Sequence, residues 1–304
     1  MRTRSAHVEG ATLDYANGWP QIDGIVADVH LDRAHVRVDG TRGSMLDAVI
    51  GHTVADIADV EQGVLTIDGN ATGTAATFLQ FLRQSPVSAW TGHFADPVQA
   101  GGNGVLALKL SIPLHNIPAT RADGNFVLAA GGDVAFPGAP PLANVAGRLA
   151  FSEKGVVDGS FTADTLGGNA RLAMSHADDG LHINAAGSGN FALLRNTWPV
   201  AFVDRISGVS DWRFDATQKG DGLGWIVTSS MQGATIDLPA PFGKRAATAM
   251  PVRIEGRASD AAARDTVSVA LGDAGRVVVQ RRIAGGEAIV DRVLVLAGTA
   301  VEQA

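Results

Sequence analysis

The side chains best suited to chemistry are histidines that fall near the ends of expected strands. His30 and His35 lie five residues apart, and His176 and His182 lie six residues apart. A metal site would need further ligands that converge on such a pair, together with partners that orient those ligands. The sequence indicates no such convergence. We therefore expect these histidines at solvent-facing or edge positions, and we expect no bound metal.

No signature of a catalytic site occurs in the sequence. A Gly-x-Ser-x-Gly elbow, a His-Glu-x-x-His pair and a phosphate-binding Walker loop are all missing. Gly102-Asn103-Gly104 begins like a dinucleotide-binding loop, but it leads into an expected strand instead of a helix. Asp178-Asp179-Gly180 is typical of a hairpin turn, and no EF-hand spacing supports calcium there. We expect no catalytic residue and no cofactor, and we do not expect an enzyme.

Charge and hydropathy exclude further classes of protein. The 304 residues carry a net charge of −7, and the 24 Lys and Arg residues form no run longer than a pair, so we expect no nucleic-acid binding. No apolar stretch reaches the roughly 18 residues that a membrane helix needs, and the N-terminus lacks the apolar core of a signal peptide. Cysteine is absent, which is compatible with an oxidising compartment.

The elements that must position these residues are mostly strands. Apolar or β-branched runs bounded by Gly, Asp or Asn recur along the chain, and they predict an antiparallel all-β fold. Two short helices are also expected, one over Thr74–Arg83 with Thr74 as its N-cap, and one within residues 191–205. The predicted strands cover residues 25–31, 35–38, 63–68, 104–112, 125–130, 133–136, 147–151, 160–163, 170–175, 180–185, 211–216, 224–231, 234–238, 250–256, 266–271, 276–283 and 288–296.

Several predicted strands are apolar on one face and wetter on the other. Side chains two residues apart in a strand share a face, so the alternation assigns a common apolar face to nine residues. A sheet of this kind needs a cover for its apolar face, and with so few helices the cover is either another sheet or an apolar ligand. The nine residues are Leu65, Ile67, Leu106, Leu108, Leu110, Ile112, Val267, Val269 and Leu271.

One strand-turn pattern recurs. Residues 20–31, which begin Pro-x-Ile-x-x-Ile, align with residues 140–151, which begin Pro-x-Leu-x-x-Val, and a shorter echo runs from Ile206 through Gly208 to Trp212. The separations between the copies are irregular, so the pattern is not a solenoid repeat. It indicates a recurrent strand-turn unit in a long sheet, and the alternative is chance similarity among glycine-rich strands.

A block near the C-terminal third resembles a family signature. Residues 236–244, followed by residues 250–253, resemble a motif of the YhdP family of AsmA-like proteins. Three further blocks, at residues 81–87, 104–114 and 140–153, also resemble that family. The matching positions of the main motif are Leu238, Pro239, Pro241, Lys244 and Pro251.

The resemblance implies a fold and a function. Members are bridge-like lipid transporters of the Gram-negative envelope, with an inner-membrane anchor and a long curled antiparallel β-sheet that forms an open apolar groove. By this resemblance, residues 1–304 are a periplasmic segment of a longer chain that lacks the anchor here, and the nine face residues line the groove. The implied partner is phospholipid, passed between inner and outer membranes that other parts of the chain contact; protein partners are unknown. The alternative is a structural or adhesive β-sandwich or β-helix module that conducts no lipid.

Overall fold

The computed structural model describes residues 4–90, 95–137, 139–197, 203–219, 222–259, 264–284 and 287–297. The predicted all-β class is confirmed, because the described residues form 19 strands, assigned by hydrogen bonding to one open antiparallel sheet, with few short helices. The chain divides into two units, residues 1–137 with 143–159 and residues 138–142 with 160–304. Each unit is described by itself.

The first unit is a meander in which each strand pairs with its neighbour in the chain, β1 to β5 in order and then β7 and β8. The short β6 pairs with the end of β8. A 3-10 turn, Ile117–Ala119, connects β7 to β8. Its elements are β1 Arg4–Leu13, β2 Ile22–Asp32, β3 His35–Met45, β4 Ala48–Ile57, β5 Val64–Thr74, α1 Ala75–Gln84, α2 Val87–Trp90, β6 Gln99–Gly101, β7 Asn103–Pro113, β8 Arg121–Ala135 and β9 Leu142–Ser152.

The second unit repeats this plan. Strands β11 to β14 pair in chain order and are followed by β16 to β19, while β15 pairs with the start of β13. Two 3-10 turns, Phe191–Asn196 and Val203–Arg205, precede β13. The chain passes from the first unit to the second within β10, Gly155–Thr165. The remaining strands are β11 Gly168–Ala177, β12 Gly180–Asn190, β13 Ile206–Lys219, β14 Gly222–Ser229, β15 Ala234–Ile236, β16 Val252–Ser259, β17 Arg264–Leu271, β18 Gly275–Ala284 and β19 Glu287–Ala297.

The helix expected over Thr74–Arg83 is confirmed as α1. Thr74 adopts an extended backbone, and its Oγ1 accepts a hydrogen bond from the Thr77 N–H at 3.1 Å, which satisfies one of the free donors of the first turn. The helix ends at Ser85, because Pro86 follows. The second expected helix corresponds to the 3-10 turns at Phe191–Asn196 and Val203–Arg205, and residues 198–202 between them lie outside the described residues.

The recurrent strand-turn pattern has a backbone basis. In each copy the strand opens with Ile22, Leu142 or Ile206, and the residue two positions later has a positive φ. Those residues are Gly24 (φ 61), Asn144 (φ 51) and Gly208 (φ 93). Glycine and asparagine are the residues that adopt this left-handed conformation most readily. The recurrent pattern therefore corresponds to a residue with positive φ near the start of three strands.

Some predicted strands differ from the observed ones. Residues 125–130 and 133–136 were expected as separate strands, but they lie almost entirely in the single strand β8, in which Gly131 has a positive φ of 91. Strands β1 and β4 and the three-residue β6 were not predicted. β1 is largely polar and exposed, and the alternation of β4 is broken by an irregularity between Ile50 and Thr53.

Candidate functional site

One row of apolar side chains crosses seven paired strands of the first unit. Its members stand directly opposite one another across successive strand pairs, so they share a face and their Cβ atoms lie about 5 Å apart. Among these residues are the predicted Ile67 and Leu110. In order, the row is Ala6, Val29, Val38, Ala55, Ile67, Leu110 and Ala122. We call this side of the sheet the apolar face of the first unit.

The adjacent row, one residue along each strand, points to the opposite side and is charged. A one-residue step reverses the side on which a side chain lies, so the two rows report the two sides of one sheet. Lys109 Nζ lies 3.2 Å from Asp68 Oδ2, and His7 Nδ1 lies 2.7 Å from Asp28 Oδ1. The row is His7, Asp28, Asp39, Val54, Asp68, Lys109 and Asp123.

The six residues predicted for the first unit lie together on its apolar face. Leu65 is opposite Ile112, Ile67 is opposite Leu110, and all six side chains are half-buried. Leu106 and Leu108 face Ala71 and Gly69 across the same pair of strands. Their assignment to one face follows from the register, whereas their contact with lipid stays a prediction.

The second unit carries an equivalent row over eight strands. It includes the predicted Val269, flanked by Ile254 on one side and Val277 on the other. Val267 lies on the same face opposite Gly256 and Val279, and Leu271 lies opposite Val252. The full row is Leu172, Ala185, Phe214, Val227, Ile254, Val269, Val277 and Val295. We call this side the apolar face of the second unit.

Neither apolar face is sealed in the way that a dry core is. Among the residues that the structure describes, no large side chain is fully buried, and many of the buried apolar residues are alanines. Val295 of the second unit is 59% exposed. The predicted residues of the first unit's face are half-buried, as expected of a surface that a further apolar group could cover.

On these faces, tryptophan rings pack over glycine residues of neighbouring strands. A Cβ built on Gly256 would come within 2.6 Å of the ring of Trp225, its directly opposed neighbour. A Cβ on Gly187 would come 3.1 Å from the ring of Trp212, again its opposed neighbour. The rings occupy the space that a side chain would take. Glycine at these positions therefore lets the tryptophans lie flat along the sheet.

One end of the apolar face in the first unit is covered by α1. The Phe78 ring packs edge-on against Phe126 with centroids 5.1 Å apart, and Phe126 lies on the apolar face opposite Leu106. Nearby, Leu128 is only 4% exposed, whereas Leu31 at the opposite end of the face is 41% exposed. We call the α1 end the covered end. The opposite end, where β2 turns into β3, is the hairpin end.

The second unit has its own covered end, built from a small core cluster. Phe191, Ile206, Met231, Ala234 and Ile236 are buried together, and two residues of the apolar face, Trp212 and Val252, pack against them. The predicted Leu271 lies opposite Val252 on the expected face and is only 6% exposed.

The family-motif residues build this covered end. Leu238 packs against the cluster, Pro239, Pro241 and Pro251 are exposed, and the Ala240–Pro241 peptide bond is cis. The motif lies in the connection between β15 and β16, where Lys244 pairs with Ile236 at the end of β15. The sequence identified the motif by resemblance alone. The structure places it beside one end of an apolar face, and we call this connection the brace.

Lys244 is the polar centre of that brace. The residue is 8% exposed, and its Nζ donates hydrogen bonds to the carbonyl oxygens of Met231 (2.6 Å) and Ala234. Its backbone pairs with Ile236 through two hydrogen bonds of 3.0 Å. Burial lowers the pKa of the Lys244 ammonium, because a charged group loses hydration there. The lysine thus ties its own segment to the turn that contains Met231 and Ala234.

Titratable groups elsewhere form local pairs. His35 Nε2 lies 2.7 Å from Asp56 Oδ1, and His182 Nε2 lies 2.7 Å from Asp179 Oδ1. Within the described part of the chain, no group of three or more potential ligands could hold a metal ion. None of its helices is long and apolar enough to cross a membrane. The chemistry that the described residues offer is apolar contact over a large area.

The sequence did not reveal the covered ends. The residues of the core cluster come from three separate segments, at 191, 206 and 231–236, so no single local periodicity joins them. The one available signal was the run Ala234–Ile236, whose outer members are apolar and buried. That run was predicted as a strand, but its pairing with the start of β13 follows only from the fold.

Comparison with known proteins gives one match. The family model described as YhdP protein matches residues 4–303. No curated protein and no solved structure matches the chain.

Proposed function

The chain belongs to the YhdP family, and from that membership we propose that it is a segment of a bridge-like lipid transport protein. In this proposal, phospholipid acyl chains lie against the apolar faces of the two units and move along the rows from strand to strand. The protein works in the periplasm and passes lipid between the inner and outer membranes. No catalytic step is required.

The observation that carries the proposal is the unbroken apolar row in each unit. Ile67 and Leu110 in the first unit and Val269 and Val277 in the second sit in rows of seven and eight paired strands. A row of this kind offers an acyl chain the same environment at each step. Since it has no charged member, a moving chain meets no desolvated charge.

The energetics favour such a path. Burial of a methylene is worth about 0.8 kcal/mol, so a two-chain lipid with roughly 30 methylenes would lose about 25 kcal/mol on entering water. An apolar face that replaces the bilayer removes most of that barrier. Binding of acyl chains to such a face depends on apolar area more than on precise polar contacts. This agrees with the scarcity of convergent polar groups on the face.

The half-exposed apolar faces also favour lipid conduction over a structural or adhesive module. A sandwich would press its two apolar faces together and bury large side chains completely. The apolar face of the second unit keeps Val293 and Val295 of β19 more than half exposed. An apolar ligand is the cover that such faces need in water.

The test is lipid extraction and native mass spectrometry of the protein purified from a Gram-negative host. We expect co-purified phospholipid, retained through gel filtration. The matched comparison is a variant in which Leu108 is replaced by Asp. If the parent protein folds normally but carries no phospholipid, the proposal is overturned.

A further inference from the structure

In each unit, packed side chains cover one end of the apolar face, and the other end lies at tight turns. In the first unit α1 covers the end near Phe126, and in the second the core cluster covers the end near Trp212. The opposite ends lead into short connections, such as Arg33–Ala34 between β2 and β3 and Asp178–Asp179 between β11 and β12. The same asymmetry therefore occurs twice.

A lipid on such a face has one favourable orientation. Its headgroup must stay in water, and water reaches the hairpin end, where Leu31 is 41% exposed. Its acyl chains must stay on apolar surface, which continues along the strands toward the covered end. The acyl chain then runs parallel to the strands, with its methyl end against the covering residues.

The distance available matches an acyl chain. On β5 the uncovered apolar side chains run from Leu65 to Ala71, six residues, or about 20 Å at the rise of a strand. One leaflet of a bilayer core is about 15 Å deep, half of the roughly 30 Å core. Beyond Ala71 the next face position, Gly73, lies beside Phe78, since a Cβ there would be 3.7 Å from the ring.

We propose that the covered end of the first unit is a stop that sets the preferred acyl-chain length, with Phe78 and Phe126 as the residues that meet the end of the chain. This inference rests on the proposed lipid function. It assigns to α1 a role in specificity, in addition to its packing. An acyl chain longer than the distance from the hairpin end to Phe78 cannot keep all of its methylenes on the face.

The test measures which lipids reach the face of the first unit. A photo-crosslinking amino acid, p-benzoylphenylalanine, replaces Leu65, and the protein is exposed to an equal mixture of two phosphatidylethanolamines whose acyl chains differ by four methylenes. Adducts are counted by mass spectrometry in three backgrounds: the parent chain, Ala71→Leu, and Ala107→Leu. Ala107 lies next to Leu106 but points to the opposite side of the sheet, so its variant is the matched control.

Ala71→Leu shortens the free path by the length of about two methylenes. Each methylene that loses apolar contact lowers affinity about fourfold, so we expect the ratio of long to short adducts to fall about 16-fold. Ala107→Leu leaves the ratio unchanged. Phe78→Leu, which removes a ring from the stop, raises the ratio of long to short adducts, and circular dichroism checks that its fold is kept.

The outcomes separate the two proposals. If the parent chain gives no lipid adduct, the proposed function fails. If it gives adducts and Ala71→Leu, Ala107→Leu and the parent chain share one ratio, lipid binds but the stop is overturned. An acyl chain that lies along the rows instead of along the strands gives this second result, because it never meets Phe78.

Discussion

Ile67 of β5 lies directly opposite Leu110 of β7 on the apolar face of the first unit. The residues beside them, Asp68 on β5 and Lys109 on β7, form an ion pair of 3.2 Å on the other side of the sheet. On these two strands, neighbouring residues therefore lie on opposite sides of the sheet, apolar on one side and charged on the other. The predictions that follow depend on this separation and on the two covered ends.

A charge on the apolar face should abolish lipid binding, whereas the same charge on the opposite side should not. Leu108→Asp places a carboxylate between Gly69 and Gly124, where an acyl chain would have to desolvate it. Ala107→Asp makes the same change between Asn70 and Asn125. We expect co-purified phospholipid to fall at least tenfold in the first variant only, measured by lipid extraction. Equal losses in both variants would contradict the account.

Lys244 should be essential to the stability of the second unit. Lys244→Ala removes one hydrogen-bond donor from the carbonyl oxygens of Met231 and Ala234 and opens a cavity, so we expect a loss of about 2–4 kcal/mol in the free energy of unfolding. Arg245→Ala, a truncation of the exposed neighbour, should change it by less than about 0.5 kcal/mol. Urea unfolding measures both. A Lys244 variant as stable as the parent would contradict the brace.

The same lysine predicts a pH dependence. Burial lowers the pKa of Lys244 in the folded state below its ordinary value of 10.5. Between the lowered pKa and 10.5 the unfolded chain binds more protons than the folded one, so stability rises with pH in this interval. We expect the rise in the parent protein and its absence in Lys244→Met. If the free energies of unfolding of the two proteins change in parallel across alkaline pH, the prediction is wrong.

The flat packing of Trp225 on Gly256 should be sensitive to one methyl group. Gly256→Ala forces the ring away from the sheet, at a cost of about 1–3 kcal/mol. Gly224→Ala is the matched control, because a Cβ there meets nothing within 4 Å. Fluorine NMR of 5-fluorotryptophan protein should show one shifted resonance in the first variant and an unchanged spectrum in the second. An unmoved Trp225 resonance in Gly256→Ala would argue against this packing.

His7 should respond to its two carboxylate partners unequally. The hydrogen bond that the ring donates to Asp28 is the main cause that raises the pKa of His7 above 6.5, followed by the one donated to Glu9. The folded-state pKa is raised, so the stabilising interaction is complete below pH 6.5 and is lost as pH rises through the raised pKa. NMR titration should show a larger fall in pKa for Asp28→Asn than for Glu9→Gln. The reverse order would contradict the arrangement.

Much of the face could be predicted from the sequence because strand periodicity is local. Leu106, Leu108, Leu110 and Ile112 alternate with Ala107, Lys109 and Ser111, and alternation fixes a common side without knowledge of the register. Helix α1 was equally accessible, since its N-cap Thr74 and its terminator Pro86 lie next to it in the chain.

The covered ends could not be predicted, because they depend on contacts between distant segments. Phe191 and Met231 are forty residues apart, and nothing in either segment indicates the other. Strand parity likewise gives the side on which Leu271 lies but not its burial, since Leu271 is only 6% exposed. Lys244 was marked only by resemblance, since a lysine in a loop is ordinarily expected in water.

The most direct test of the central claim is a photo-crosslinking scan along β7 in cells. The crosslinking amino acid replaces each residue from 105 to 112 in turn, and phospholipid adducts are counted at every position. We predict adducts at Leu106, Leu108, Leu110 and Ile112 and none at the four positions between them. Adducts of equal yield at all eight positions, or adducts at none, would contradict lipid conduction along this face.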